Sequence, residues 1–117
     1  MIKGFGGLII SSKDPEALAK FYNEKLGIPI LGKYSDNCIE LGFNKNETAV
    51  WIGDENKYGK TYDGMLAFVL RCDSIDKTYE ELTQKGVQLE PPTVAEYGGK
   101  ELVCKDLENN AIIVLEQ

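Results

Sequence analysis

Histidine is absent from the 117 residues of the chain, and its absence excludes several kinds of site. A cysteine or serine nucleophile that relies on an imidazole base has no partner here. Metal sites built on imidazole nitrogen are excluded as well. The missing histidine therefore limits the chemistry that this chain can perform.

Clustered positive charge is missing too. Arg71 is the only arginine, the lysines are scattered among carboxylates, and the formal net charge is −6. Nucleic-acid phosphates are bound by basic patches. The composition therefore argues against a nucleic-acid partner.

Long apolar runs are also lacking. No run approaches the roughly 20 residues that a membrane-spanning helix requires, and the first residues do not resemble a signal peptide. Three widely separated cysteines, Cys38, Cys72 and Cys104, fit a reducing compartment better than a disulfide framework, and each is predicted to be a small core or near-core residue. We therefore predict a cytoplasmic protein with no membrane partner.

What the chain does contain is an internal repeat. The segment Asp14–Gly27 is echoed by Asp73–Gly86, with both ends shifted by 59 positions (14 to 73 and 27 to 86), and an apolar run precedes each segment. Such a repeat predicts two similar modules, residues 1–59 and 60–117. At this length they are expected to build a single domain.

Each module has the pattern β-α-β-β-β. Asp14 and Pro15 are typical of a helix start and Gly27 of a helix end, with apolar residues at helical spacing between them. A second helix is predicted over residues 74–85, and residues 91–99 are predicted to form a loop. The predicted strands cover residues 2–12, 28–33, 38–43, 48–53, 64–72, 87–90, 100–105 and 111–116.

These motifs, in this order, resemble the glyoxalase / bleomycin resistance protein / extradiol dioxygenase superfamily, also called the vicinal oxygen chelate superfamily. The resemblance implies an α+β fold of two tandem βαβββ modules. Their strands would form a curled mixed sheet, a cup, with the helices on the outside. The matching segments are Ser12–Glu16, Phe21-Tyr22, Leu26-Gly27, Asp73–Asp76, Gly86-Val87, Gly98–Lys100 and Asp106–Ile112.

Enzymes of this superfamily bind a divalent metal in the cup, and the resemblance allows their ligand positions to be matched one by one. None of the matched residues has a side-chain donor for a metal, so neither a metal nor another cofactor is expected. The matched positions are Gly7, Trp51, Ala67 and Ile113.

Without a metal, the cup would be a mostly apolar pocket, as is typical of small-molecule sites. Trp51 would offer a stacking surface, Arg71 could bind an anionic group, and Tyr97 could cover the mouth. Each also has a structural alternative: Trp51 fills the space of the metal, Arg71 pairs with a surface acid, and Tyr97 packs on its own sheet. The predicted ligand-binding residues are Ile9, Trp51, Met65, Val69, Arg71, Tyr97 and Ile113.

The leading hypothesis is a metal-free protein that sequesters an aromatic or amphipathic small molecule, without catalytic residues. The resemblance also implies a homodimer. One alternative is a glyoxalase- or dioxygenase-like enzyme with a lost or atypical metal site, built for example from Glu40, Glu101 or Glu116. Another is a structural module whose cup is filled by its own side chains or by a partner.

Overall fold

The computed structural model describes residues 1, 3, 7–35, 37–44, 47–59, 67–94 and 98–116. The chain divides into two compact units, Met1–Asp63 and Gly64–Gln117. Each unit contains one mixed four-stranded sheet and one long helix, which confirms the predicted α+β class with βαβββ modules. Within the described ranges, no helix is long and apolar enough to cross a membrane.

In the first unit, one parallel and two antiparallel pairings join the strands in the order β1-β4-β3-β2. A long helix follows the first strand and a short helix follows the last one. The elements are β1 (Gly7–Ser12), α1 (Pro15–Leu26), β2 (Ile30–Ser35), β3 (Cys38–Leu41), β4 (Ala49–Asp54) and α2 (Glu55–Tyr58).

The second unit repeats this topology with the order β5-β8-β7-β6. Its register is also repeated: Ile9 is paired with Trp51 in the first sheet, and Val69 with Ile113 in the second. The elements are β5 (Ala67–Cys72), α3 (Ile75–Gln84), β6 (Thr93–Val94), β7 (Lys100–Lys105) and β8 (Ala111–Glu116).

The helix ends follow from local hydrogen bonds. Asp14 Oδ1 accepts from the backbone N–H of Ala17 at 3.1 Å, and Gly27 adopts φ +73° after the last turn of α1. This left-handed conformation favours glycine, which has no β-carbon. The first turn of α3 is held by Glu116, whose Oε2 accepts from the N–H of Ile75 at 2.7 Å. The cap of α1 is thus local. The start of α3 combines a local cap, in which Ser74 Oγ accepts from the N–H of Lys77 at 3.3 Å, with Glu116 from the last strand.

Each long helix covers one face of its own sheet and forms a core there. Burying one large apolar side chain contributes about 1.5–3 kcal/mol. The apolar side chains buried between helix and sheet therefore account for much of the stability of each unit. The first core contains Ile10, Leu18, Phe21, Tyr22, Ile39, Leu41 and Ile52, and the second contains Ile75, Leu82, Leu102, Cys104, Ile112 and Val114.

The prediction of a regular strand over residues 87–90 is wrong. Leu89 forms only an isolated bridge with Cys104, and β6 lies at Thr93–Val94, inside the segment predicted to be a loop. Pro91 and Pro92 cause the interruption, because proline has no N–H to donate to a neighbouring strand. The chain therefore meets β7 in two short contacts separated by two prolines.

All three cysteines are free, but only Cys104 is fully buried; Cys38 and Cys72 are partly exposed. Burial, together with the nearby Asp106 carboxylate, raises the pKa of Cys104 from 9.0 to about 11. Cys104 therefore lies in the core, and Cys38 and Cys72 lie at partly buried positions.

Stability is expected to fall as the pH rises from about 9 towards 11, because the unfolded Cys104 thiol then ionises while the folded one stays protonated. Urea unfolding at several pH values measures this loss, and a Cys104→Ala variant should show a smaller one. An equal loss in both proteins would contradict the assignment to Cys104.

Candidate functional site

One face of the first sheet lies away from α1, and we call it the α1-distal face. Strand register places alternate residues of β1, β3 and β4 on it. Exposure distinguishes the two faces: Ile9 is 50% exposed, whereas the next residue, Ile10, is fully buried. The α1-distal face contains Gly7, Ile9, Ser11, Cys38, Glu40, Ala49, Trp51 and Gly53.

The indole of Trp51 lies over Gly7 on this face. A β-carbon placed on Gly7 would overlap with Cζ3 and Cη2 of the indole, and it would stand only 2.7 Å from the carbonyl oxygen of Ala49. Trp51 is paired with Ile9, so its ring extends diagonally across to the start of β1. The indole therefore occupies the space that a side chain at position 7 would take.

A second aromatic ring, Tyr58, reaches the same face from α2. Its Cδ2 lies 3.3 Å from the position of a β-carbon on Gly53, and Ile9 Cγ2 lies 3.8 Å from that position. Asp54 begins the short helix by accepting from the N–H of Asn56 at 2.9 Å. Tyr58 and Ile9 thus lie on the same side of Gly53, and Ile9 is also the cross-strand partner of Trp51. Tyr58 was not among the residues predicted from the sequence. The usable signal was Asp54, a typical helix-capping residue, with a tyrosine four residues later.

Glu40 is the carboxylate of the α1-distal face. It is paired with Trp51 across β3 and β4, and its side chain is partly buried. Burial, and then the charge of Glu40, raise the pKa of Cys38, two residues earlier on the same face. The face thus combines aromatic rings with one acidic group.

The corresponding face of the second sheet lies away from α3. Val69 is 61% exposed and Ile113 is partly exposed, so this α3-distal face is also apolar at its centre. Arg71 is exposed and is paired with Leu115, which is paired in turn with Glu101. Among the described residues Arg71 forms no ion pair, so the alternative of a surface salt bridge finds no support there.

The predicted ligand-binding residues are therefore divided between the two units, and two of them are not described. Ile9 and Trp51 share the α1-distal face, and register places Val69, Arg71 and Ile113 together on the α3-distal face. The predictions for Met65 and Tyr97 lie outside the described residues.

Among the residues that the structure describes, those at the matched positions do not fit a metal. Gly7 and Trp51 bring a packed indole instead of donor atoms to their matched positions, and Ile113 offers only a hydrocarbon side chain. An all-carboxylate site fails in the second unit, because Glu116 lies on the face opposite Glu101 and binds the start of α3. Within the described part of the chain, no group of three acidic, cysteine or histidine side chains could hold a metal ion.

A groove of about 310 Å³ lies elsewhere, between α1 and the strands β2 and β3. Ala19, Ile30 and Ile39 form its apolar floor, and the ion pair between Lys33 and Glu16, 3.0 Å long, lies at its rim. It is on the helix side of the sheet, so it contains none of the predicted ligand-binding residues.

Comparison with known proteins supports the fold. The structure of TnmS3, an antibiotic binding protein from Streptomyces sp. CB03234, is similar to this one. Its sequence is 20% identical, and the alignment covers 98% of this chain and 96% of the TnmS3 chain with a TM-score of 0.82. Lactoylglutathione lyase from Agrobacterium tumefaciens is 14% identical and aligns over 94% and 91%, with a TM-score of 0.79.

A further structure, a member of the glyoxalase/bleomycin resistance protein/dioxygenase superfamily from Sphaerobacter thermophilus DSM 20745, is 22% identical. It aligns over 99% of this chain and 98% of its own, with a TM-score of 0.80. A comparison with curated protein sequences gave no match. The sequence profile of the superfamily matches residues 4–114. The chain therefore belongs to the glyoxalase/bleomycin resistance protein/dioxygenase superfamily.

Proposed function

We propose that this protein is a metal-free binder of an aromatic or amphipathic small molecule. The observation that carries the proposal is the packing of the Trp51 indole over Gly7, where metal-dependent relatives are expected to place a ligand. A tryptophan offers a flat surface for stacking and a polar N–H at its edge. Exposed Ile9 and Tyr58 extend the apolar surface around it.

The similar structures support the general class of function in this proposal, which is small-molecule binding. TnmS3 is described as an antibiotic binding protein, and it shares this fold over nearly the whole chain. Small-molecule sites are mostly apolar and carry few polar groups, which is the character of the α1-distal face. The contacts predicted for the second unit, Val69, Arg71 and Ile113, remain part of the proposal, as do Met65 and Tyr97.

A planar ligand present at about a hundredfold excess over its Kd should raise the melting temperature by several degrees, because binding then adds about 2.7 kcal/mol to the native state. Thermal-shift screening with planar antibiotics and aromatic metabolites measures this effect. Trp51 is the only tryptophan, so a change in its fluorescence reports binding at this face. A Trp51→Leu variant should keep its fold and lose most of the shift. A uniform lack of stabilisation, with unchanged fluorescence, would contradict the proposal.

The proposal is distinguished from enzymatic alternatives by metal content. Protein purified without chelator should contain no stoichiometric zinc, nickel, manganese or iron in elemental analysis. A stoichiometric metal would overturn the metal-free proposal and favour a glyoxalase- or dioxygenase-like enzyme with atypical ligands.

The same proposal includes a cytoplasmic homodimer. Exposed aliphatic side chains in the middle of a sheet face, such as Ile9 and Val69, are typical of surfaces that become covered on association. Sedimentation equilibrium of the purified chain tests this part independently, since a monomer at high concentration would remove the dimer and leave the ligand proposal standing.

A further inference from the structure

One difference between the two sheets lies beside Trp51, at the position of Glu40. Glu40 is paired with Trp51 in the first sheet, whereas Val103 is paired with Ile113 in the second. Side chains paired in this way have β-carbons about 5 Å apart. The indole extends from β4 towards β1, and Glu40 lies on β3 at the other side of β4, so the Glu40 carboxylate can reach a ligand that stacks on the indole and extends across β4. The first sheet therefore has a carboxylate at the position where the second sheet has an aliphatic side chain.

Burial of its neighbours fixes the direction of the Glu40 side chain. Ile39 and Leu41 are 6% and 1% exposed and point to the side of the sheet that α1 covers. Side chains alternate along a strand, so Glu40 points to the α1-distal face. The Glu40 side chain is partly buried there, next to its cross-strand partner Trp51.

No protein cation neutralises this carboxylate within the ranges that the structure describes. The ion pairs found in the first unit join Lys20 to Glu24 and Lys33 to Glu16, and none involves Glu40. A partly desolvated carboxylate gains free energy when a charged donor reaches it. The net charge of −6 also attracts positively charged ligands.

We propose that Glu40 makes the site selective for planar aromatic cations. The ring of such a ligand stacks on the indole of Trp51, which also favours cations over its face. The cationic N–H of the ligand donates a hydrogen bond to the Glu40 carboxylate. This inference rests on the proposed function and names the ligand class for the same site.

Two nearly isosteric probes test the charge. Near neutral pH 9-aminoacridine is a cation and acridine is neutral, so titration calorimetry of both isolates the effect of charge. The cation should bind the wild-type protein about tenfold more tightly, a difference typical of one charge-assisted hydrogen bond. Glu40→Gln should remove that difference and leave the Kd of acridine within about twofold.

Glu80→Gln is the matched control, because it removes the same charge from an exposed position of α3. It should retain the preference for the cation. Equal binding of the two probes in the wild type, or equal weakening by both substitutions, would overturn the role of Glu40 and leave the proposed function intact. Failure of both probes to bind the wild-type protein would count against the proposed function as well, so the two failures are distinguishable.

Discussion

Replacing Gly7 with alanine is expected to lower the free energy of unfolding by about 2–3 kcal/mol, which is typical of overpacking a close-packed site. The new β-carbon would overlap with the indole of Trp51 and would press on the carbonyl oxygen of Ala49. Urea unfolding followed by the fluorescence of Trp51 measures the loss, and the signal comes from the unit that carries the substitution.

Two further variants show whether the indole is the cause. Gly32→Ala makes the same substitution in the same sheet, at a position where a β-carbon would meet nothing within 4 Å, so it should not be destabilising. In the double variant Gly7→Ala/Trp51→Ala, the loss should be smaller than the sum of the single losses, because the main clash has been removed. The variants without Trp51 lack the only tryptophan, so the unfolding of all four proteins in this comparison is followed by far-ultraviolet circular dichroism. Additive losses would show that Gly7 and Trp51 are not coupled.

Replacing Asp106 with alanine is expected to lower the free energy of unfolding by about 3 kcal/mol, because buried donors would lose a charged acceptor. The buried Asp106 carboxylate accepts from the N–H of Glu108 at 2.8 Å, from the N–H of Asn110 at 2.9 Å, and from Asn110 Nδ2 at 2.7 Å. These bonds hold the turn between β7 and β8. Chemical unfolding followed by far-ultraviolet circular dichroism measures the effect.

The same turn supplies its own control. Asn109 has φ +71°, a left-handed conformation that glycine adopts with less strain. Asn109→Gly should therefore leave stability unchanged or raise it by about 0.5 kcal/mol. If Asp106→Ala were as mild as Asn109→Gly, the carboxylate would not be what holds the turn.

Much of the fold could be predicted because its signals are local. The ends of α1 are set by Asp14 and Gly27, which lie next to the residues they cap. The strand β8 was predicted with its observed bounds, since apolar residues and the turn at Asp106 mark it. The sixth strand was placed wrongly because pairing with β7 resumes beyond Pro91 and Pro92, and no local pattern shows where pairing resumes.

The site was only partly predictable for a different reason. Matching to the superfamily located Gly7 and Trp51, but the sequence could not show that one side chain fills the space above the other. Tyr58 was not recognised as part of the α1-distal face, because its position depends on the α2 turn. Glu40 was not recognised as the cross-strand partner of Trp51, because that pairing depends on the register between β3 and β4.

By itself, the sequence determined the two-module organisation, the helix ends and the lack of imidazole chemistry. The repeat, the capping residues and the composition can be recognised without knowing which distant residues meet. Only the tertiary structure decided which side chains meet. Strand register brings Glu40 and Trp51 together and lays the indole over Gly7, although these residues are distant in the chain. Cross-strand contacts depend on hydrogen bonding between remote segments, and local residue preferences do not specify that pairing.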